Sequence, residues 1–450
     1  MPTPLPDLRP CHGGRGRPFD AARPGDVPGR HVEEEYVISG TAAAYLEGGA
    51  GVRARAPYVT RLLTRAPERG FNGVVIVEWF NVSAYMDAGV EWVYTHTELV
   101  RDGYAWVGVS AQCAGVTGSA LPPEGPAPGG LQAWDPARYG TLQHPGDDFS
   151  YDIFSQAGRA IAELFPGARL VAAGMSLGAH RLTTYVNAID PLAQVYDGFL
   201  IHSRMGAAAP LVLPDPPAFD PTPVPFRDDP RVPVLALLTE TDVVTLGYRA
   251  ARRPDGPALR VWEIAGAAHA DTYAEAGAAH DMTRLDPARL AAALAPRRRA
   301  AGFDFGHTVN AAPQHHYVAN AAVHHLARWV RDGTPPPHAP RLELRPGASA
   351  ALARDAFGNA LGGVRTPWMD APTAVLTGIS PNDGLIERLF GETVPFDAAT
   401  LETLYPGGAA GYLKAFGAAT DAAVAAGFLL PADAGEIKAL AATSYQTAVV

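Results

Sequence analysis

The segment GMSLG, residues 174 to 178, sets a serine between two glycines where an apolar run, ARLVAAG, gives way to an amphipathic one, LGAHRLTTYVNAI. G-x-S-x-G at such a junction is the pattern of a nucleophilic serine on a sharp strand-to-helix turn. The turn brings backbone segments too close for side chains at its flanks, which is why glycine is needed there. Ser176 would stand with its hydroxyl exposed beside the positive end of a helix dipole. A serine hydroxyl is a weak nucleophile at neutral pH and needs a base, itself oriented by an acid. On such sheets the acid and then the histidine follow the serine in the chain. The run VPVLALLTETD ends at Asp242, and WEIAGAAHAD ends with His269 in the loop beyond it. Ser176, His269 and Asp242 are therefore the expected nucleophile, base and acid. Glu240 is the alternative acid if its strand ends sooner, and Asp271 could cap a helix instead.

A tetrahedral intermediate also needs donors for its oxyanion. One expected donor is the backbone N–H of Leu177; another comes from the loop after NGVVIVEWF, near Trp79 or Phe80. Asn81 could add its amide or simply form a turn. Met175, His202, Trp134, Tyr139 and Phe226 are candidate pocket walls. Cys113 reads as a small buried residue rather than a nucleophile. His315, His316, His324 and His325 fall on a helical pattern and are expected to face solvent or pack. Their spacing is not that of a zinc site, so neither a metal nor a cofactor is expected.

These residues must be held by regular elements, and the chain supplies them in alternation. HVEEEYVISGTAAAYLE and APYVTRLLTRAP read as extended segments joined by a Gly-rich turn. NGVVIVEWF and GYAWVGVSAQ are continuous apolar runs, as in strands buried on both faces of a parallel sheet. Helices are expected over about 88–101 and 150–165, and HHYVANAAVHHLARWVRDG puts Val318, Ala322, Leu326 and Val330 on one face. VYDGFLIHS, VPVLALLT and ALRVWEIAG are further strands. Strands alternating with helices predict an α/β fold with a mostly parallel central sheet covered on both sides. Catalytic groups of such sheets gather outside the carboxyl ends of the strands.

The chain divides into a loose leader (1–28), a core (29–335) and a partly helical C-terminal extension (336–450) packed on the core or roofing the site. Insertions at 113–148, 205–230 and 271–314 are too long for simple turns and are expected to form lids or binding loops. The 450 residues are 47% hydrophobic and 18% charged, enough for a large core. A net charge of −10 argues against a nucleic-acid partner. No run is long enough for a membrane span, the N-terminus has no apolar signal core, and two cysteines make no disulfide framework. Cytoplasmic is the default reading.

The motifs VVIVEWFNVS, GYAWVGVSAQ, YDIFSQAGRA, GMSLGAHRLTTYVNAI, YDGFLIHSR and AGAAHAD, and more weakly ARDAFGNALGGVR, resemble the α/β-hydrolase superfamily. In particular they resemble bacterial α/β-hydrolase-domain proteins of largely unassigned substrate. The resemblance implies a Ser–His–acid hydrolase acting on a small-molecule ester or related acyl bond. An acyltransferase or thioesterase on the same residues is the near alternative. A non-catalytic small-molecule binding protein of the same fold is the distant one.

Overall fold

The computed structural model of the chain describes residues 5–21, 31–49, 51–118, 129–214, 219–280, 282–347 and 351–448. Residues 22–28 of the expected leader and most of the Pro-rich stretch PPEGPAPGG lie outside them.

One nine-stranded sheet organises the molecule, in the order β1-β2-β3-β5-β4-β6-β7-β8-β9. Strands β1 (Asp7–Pro10), β2 (His31–Tyr45) and β3 (Val52–Pro67) form an antiparallel flank. β4 (Val74–Trp79), β5 (Ala105–Val109), β6 (Arg169–Met175), β7 (Gly198–His202), β8 (Val234–Thr239) and β9 (Leu259–Ile264) run parallel to one another, and β5 meets the flank by pairing antiparallel with β3. Every residue of β4, β5, β7, β8 and β9 is buried, which is why these stretches read as unbroken apolar runs rather than alternating ones. The pleat still sorts them: Val75, Val77 and Trp79 join the core on one face, Val74 and Ile76 that on the other.

Helices α1 (Val90–Arg101), α2 (Ser150–Leu164), α3 (Leu177–Thr184), α4 (Glu240–Val244), α5 (Thr272–Ala279) and α6 (Gln314–Asp332) fill the crossovers. Ile153, Phe154 and Ile161 of α2 and Leu182 of α3 pack on the first face. Tyr94 and Leu99 of α1 and Val318, Ala322 and Leu326 of α6 pack on the second. Each fully buried aliphatic or aromatic side chain of this kind contributes roughly 1.5–3 kcal/mol.

The N-terminal segment is not uniformly loose: β1 pairs with Tyr36–Ser39 of β2, and the Phe19 N–H donates to the Tyr139 hydroxyl at 2.8 Å. The C-terminal extension packs into both cores. Leu342, Leu352 and Leu376 belong to the first; Tyr412 and Phe416 of α7 (Ala409–Ala425) and Leu440 of α8 (Ala434–Ala448) belong to the second. The extension also continues the sheet, because Val364 bridges Ile264 in parallel beyond the β9 edge. A short antiparallel pair, β10 (Ala374–Thr377) with β11 (Glu392–Pro395), follows. Among the described residues no helix is long and apolar enough to cross a membrane.

Candidate active site

Ser176 ends β6 and precedes α3, with φ 58° and ψ −113°, in the left-handed region that a serine seldom occupies. Such a backbone costs on the order of 1–3 kcal/mol and persists only where its surroundings enforce it. They do so here. A Cβ on Gly174 would lie 2.9 Å from the Gly178 carbonyl carbon, and one on Gly178 would lie 2.7 Å from the Trp79 carbonyl oxygen. The turn is pinned from below, where the Ser176 N–H donates to the His202 carbonyl at 3.1 Å. Its side chain is left half-buried at the strand end.

Asp242 sits in the first turn of α4 and is fully buried. One carboxylate oxygen, Oδ2, accepts the Thr239 N–H at 2.7 Å and the Thr239 hydroxyl at 2.8 Å, closing a capping box. That leaves Oδ1 aimed at His269 Nδ1, 2.7 Å away. His269 lies in the loop after β9, where its N–H donates to Thr241 Oγ1 at 3.1 Å. Its Nε2 is 3.0 Å from Ser176 Oγ. An ionised carboxylate only accepts, so the Nδ1 proton is fixed on the aspartate side and the Nε2 lone pair faces the serine. Serine, imidazole and carboxylate form one continuous hydrogen-bonded chain drawn from three strand ends.

Glu240 is not part of that chain. Its carboxylate accepts the N–H groups of Gly266 at 2.6 Å and Gly378 at 3.0 Å, and the Thr377 hydroxyl at 2.9 Å. Burial pushes this carboxyl up, and Arg354 and the N–H donors pull it back. Its role is to fasten the extension to the sheet. The extension bears directly on the neighbouring loop as well: Thr241 Oγ1 donates to the Gly378 carbonyl at 2.5 Å, and the Ala270 N–H donates to the Leu389 carbonyl at 2.9 Å.

Several other expected site residues are placed elsewhere. The Phe80 N–H donates to the Val109 carbonyl at 3.3 Å and so is not free for an oxyanion, while Trp79 lies inside β4 with its carbonyl against Gly178. Asn81 holds the turn from the side: its Nδ2 donates to the Met175 carbonyl at 3.2 Å, and its Oδ1 accepts the Ser83 N–H at 2.8 Å. Leu177 opens α3, where the first N–H groups have no intrahelical acceptor. The Met175 side chain belongs to the buried core. Tyr139 and Trp134 pack in a separate small cluster with Cys11 and Leu131, and the Tyr139 hydroxyl donates to Glu35 at 2.7 Å. Phe226 is buried against the Arg204 guanidinium, 4.7 Å from its ring. His202 is fully buried beneath the site, and His315 and His316 are buried as well. Asp271 caps α5 by accepting the Ala274 N–H at 2.9 Å.

Thr239 and Thr241 also support the site, and T-x-x-D from Thr239 to Asp242 is itself a capping-box signature. Weighed in advance, it favours Asp242 over Glu240 as the acid. Thr377 and Gly378 carry no comparable local signal.

A family profile described as "Alpha/beta hydrolase domain" matches residues 3–439. No curated protein matches the chain. A solved putative dienelactone hydrolase from Klebsiella pneumoniae subsp. pneumoniae is similar at 14% identity and a TM-score of 0.29, over 50% of this chain and 85% of that one. For the esterase Est22 the figures are 12% and 0.32, over 54% and 76%. For an esterase from Pyrococcus furiosus they are 10% and 0.32, over 56% and 87%.

Proposed function

The chain belongs to the alpha/beta hydrolase domain family, and on that premise we propose that it cleaves a carboxylic ester through an acyl-serine intermediate. The observation that carries the reading is the unbroken chain from Ser176 Oγ through His269 to Asp242, at 3.0 and 2.7 Å.

His269 Nε2 takes the Ser176 proton as Oγ attacks the ester carbonyl carbon, and Asp242 holds the imidazole in the required tautomer and stabilises its cation. The carbonyl oxygen becomes an oxyanion. The Leu177 N–H at the start of α3 is one donor for it, and such a donor is worth about 2.7–4 kcal/mol. Collapse expels the alcohol, which leaves with the proton held on Nε2, and the acyl group stays on Oγ. Water then gives its proton to His269 and attacks the acyl carbon, releasing the acid and restoring the serine. A small to medium, mostly uncharged ester suits the absence of a cationic cluster in the sequence around these residues.

A fluorophosphonate probe tests the nucleophile directly. Wild type is expected to be labelled and to hydrolyse 4-nitrophenyl acetate, and Ser176→Ala to do neither. Equal labelling of Ser176→Ala would refute the assignment. Adding a competing alcohol separates hydrolysis from acyl transfer by the product formed.

A further inference from the structure

Below the Ser176–His269–Asp242 chain lies a second file of titratable side chains that the reaction above does not use. His202 Nδ1 is 3.0 Å from Glu91 Oε1, and His202 Nε2 is 2.6 Å from His315 Nε2. His315 Nδ1 in turn lies 3.6 Å from Asp271 Oδ2. All four side chains are at most 1% exposed. They come from four elements: the start of α1, the end of β7, α6, and the cap of α5 two residues after His269.

Proton bookkeeping fixes their states. Two ring nitrogens at 2.6 Å need a proton between them. Burial pulls His202 down to about 3 and lowers His315 too, so each ring is neutral with one N–H. Two arrangements remain. Either Glu91 is an acid donating to His202 and the His315 Nδ1–H faces Asp271, or Glu91 is a carboxylate accepting from His202 and the His315 Nδ1 lone pair faces Asp271. Asp271 Oδ1 already accepts the Ala274 N–H and, at 3.1 Å, the Tyr94 hydroxyl, so Asp271 is held as an acceptor, while its Oδ2, which faces His315, makes no hydrogen bond. Glu91 has no such support: Oε2 has no hydrogen-bond partner, and burial pushes the carboxyl up to about 8. The file therefore runs from the Glu91 O–H to His202 Nδ1, from the His202 Nε2–H to His315 Nε2, and from the His315 Nδ1–H toward Asp271.

Burial opposes a charge on Glu91, and His315 only partly offsets it. Glu78 of β4 accepts the N–H groups of Glu91 and Trp92 and the Trp106 indole, and burial together with Glu91 pushes its own carboxyl up. Tyr94 of α1 lies over His315 at 4.4 Å, and Tyr273 of α5 stacks on His316, the neighbour of His315 on α6. Asp242 and His269 both act on His202 from above.

We propose that Glu91, His202, His315 and Asp271 are positioning residues: a sealed file, bridged by protons from Glu91 to His315 and in 3.6 Å contact with Asp271, that ties the strand end holding Ser176 to the loop holding His269. The proposal rests on the hydrolase reading for its consequence, although the relay itself does not. His202 offers its carbonyl to the Ser176 N–H, and Asp271 anchors α5 immediately after His269. Removing the Glu91 proton leaves Glu91 accepting from His202 Nδ1, and then either two lone pairs face each other across 2.6 Å or His315 turns its Nδ1 lone pair toward the Asp271 carboxyl 3.6 Å away. The His202–His315 contact or the His315–Asp271 contact then opens and both ends of the site loosen.

Glu91→Gln tests this, because the glutamine amide donates to His202 Nδ1 and cannot ionise. On a Ser176→Ala background, which needs no activity, proton NMR of the full chain should show an exchange-protected imidazole N–H that disappears above about pH 8. With Glu91→Gln added the signal should persist, and with His315→Asn it should be absent at every pH. In active enzyme, kcat/KM for 4-nitrophenyl acetate should fall about tenfold per pH unit above that point, with the fall displaced to higher pH in Glu91→Gln. A signal insensitive to pH, or lost at the same pH in Glu91→Gln, overturns the relay whether or not His315→Asn folds. Absence of fluorophosphonate labelling would instead overturn the hydrolase reading and leave the NMR result to decide the relay.

Discussion

Two imidazoles stand at strand ends on either side of β8, His202 at the end of β7 and His269 after β9, and each meets a carboxyl through Nδ1, at 3.0 and 2.7 Å. They differ in what the outer nitrogen meets. For His269 it is a half-buried hydroxyl held in a strained turn; for His202 it is another sealed imidazole, 2.6 Å away. The carboxyls differ as well. Asp242 has one oxygen engaged by the Thr239 N–H and hydroxyl, which leaves it free to serve as an anion toward a histidine that must become charged. Glu91 Oε2 has no donor, so Glu91 is held as an acid. A carboxyl beside an imidazole is therefore not by itself a general base. Access to the far nitrogen and donors on the carboxylate decide between turnover and support.

The comparison breaks most visibly at the hydroxyl. Ser176→Ala should lower kcat on 4-nitrophenyl acetate by roughly 10⁶-fold, the size seen when a nucleophile is removed from such a set. If it retains a tenth of the activity, Ser176 is not the nucleophile. Asp242→Asn should lower kcat by about 10⁴-fold, because the amide favours the wrong tautomer. Glu240→Gln, two residues away, should change kcat less than about tenfold and instead destabilise the fold by about 1–3 kcal/mol in urea titrations, because two N–H donors lose a charged acceptor. Reversal of those two outcomes would exchange their roles.

Smaller effects sharpen the contrast. Thr239→Ala removes the hydroxyl that caps α4 and fixes Asp242 Oδ2, and should cost about 1 kcal/mol in the same titration together with part of kcat. The buried acid has its own signature in thermal scans. Glu91 gains a proton relative to the unfolded chain wherever the pH lies between its ordinary 4.5 and about 8. Folding is then linked to proton uptake, so this group's contribution is intact below about 4.5 and declines as the pH rises toward 8. Tm should fall across that interval in wild type and fall less in Glu91→Gln.

Much of this was legible in residues that act through local rules. GMSLG gave the turn because two glycines and a serine at a strand-to-helix junction leave few alternatives, and the buried runs gave the parallel strands. The pairing of Ser176, Asp242 and His269 followed from strand ends alone. Pocket walls are not legible in this way, because an aromatic in a long loop has no sequence mark for where it packs: Tyr139 and Trp134 fill a separate small core. The relay was invisible for the same reason. Glu91 looks like any acid in a first helical turn, and His315 like one of several histidines on a helix; only the fold sets them against the same ring. The link between Glu240 and Gly378 spans 138 residues, beyond any periodic pattern.

That link has a consequence for how the protein comes into being. A Cβ on Gly378 would lie 2.2 Å from the Ala267 carbonyl oxygen, and one on Gly391 would lie 2.2 Å from the Thr377 carbonyl oxygen, so the late segment is threaded hard against the loop that carries His269. During synthesis the residues of the sheet leave the ribosome before those of that strap. A chain cut after α6 would therefore lack both the contacts that latch the His269 loop and the side chains that the extension contributes to the two cores.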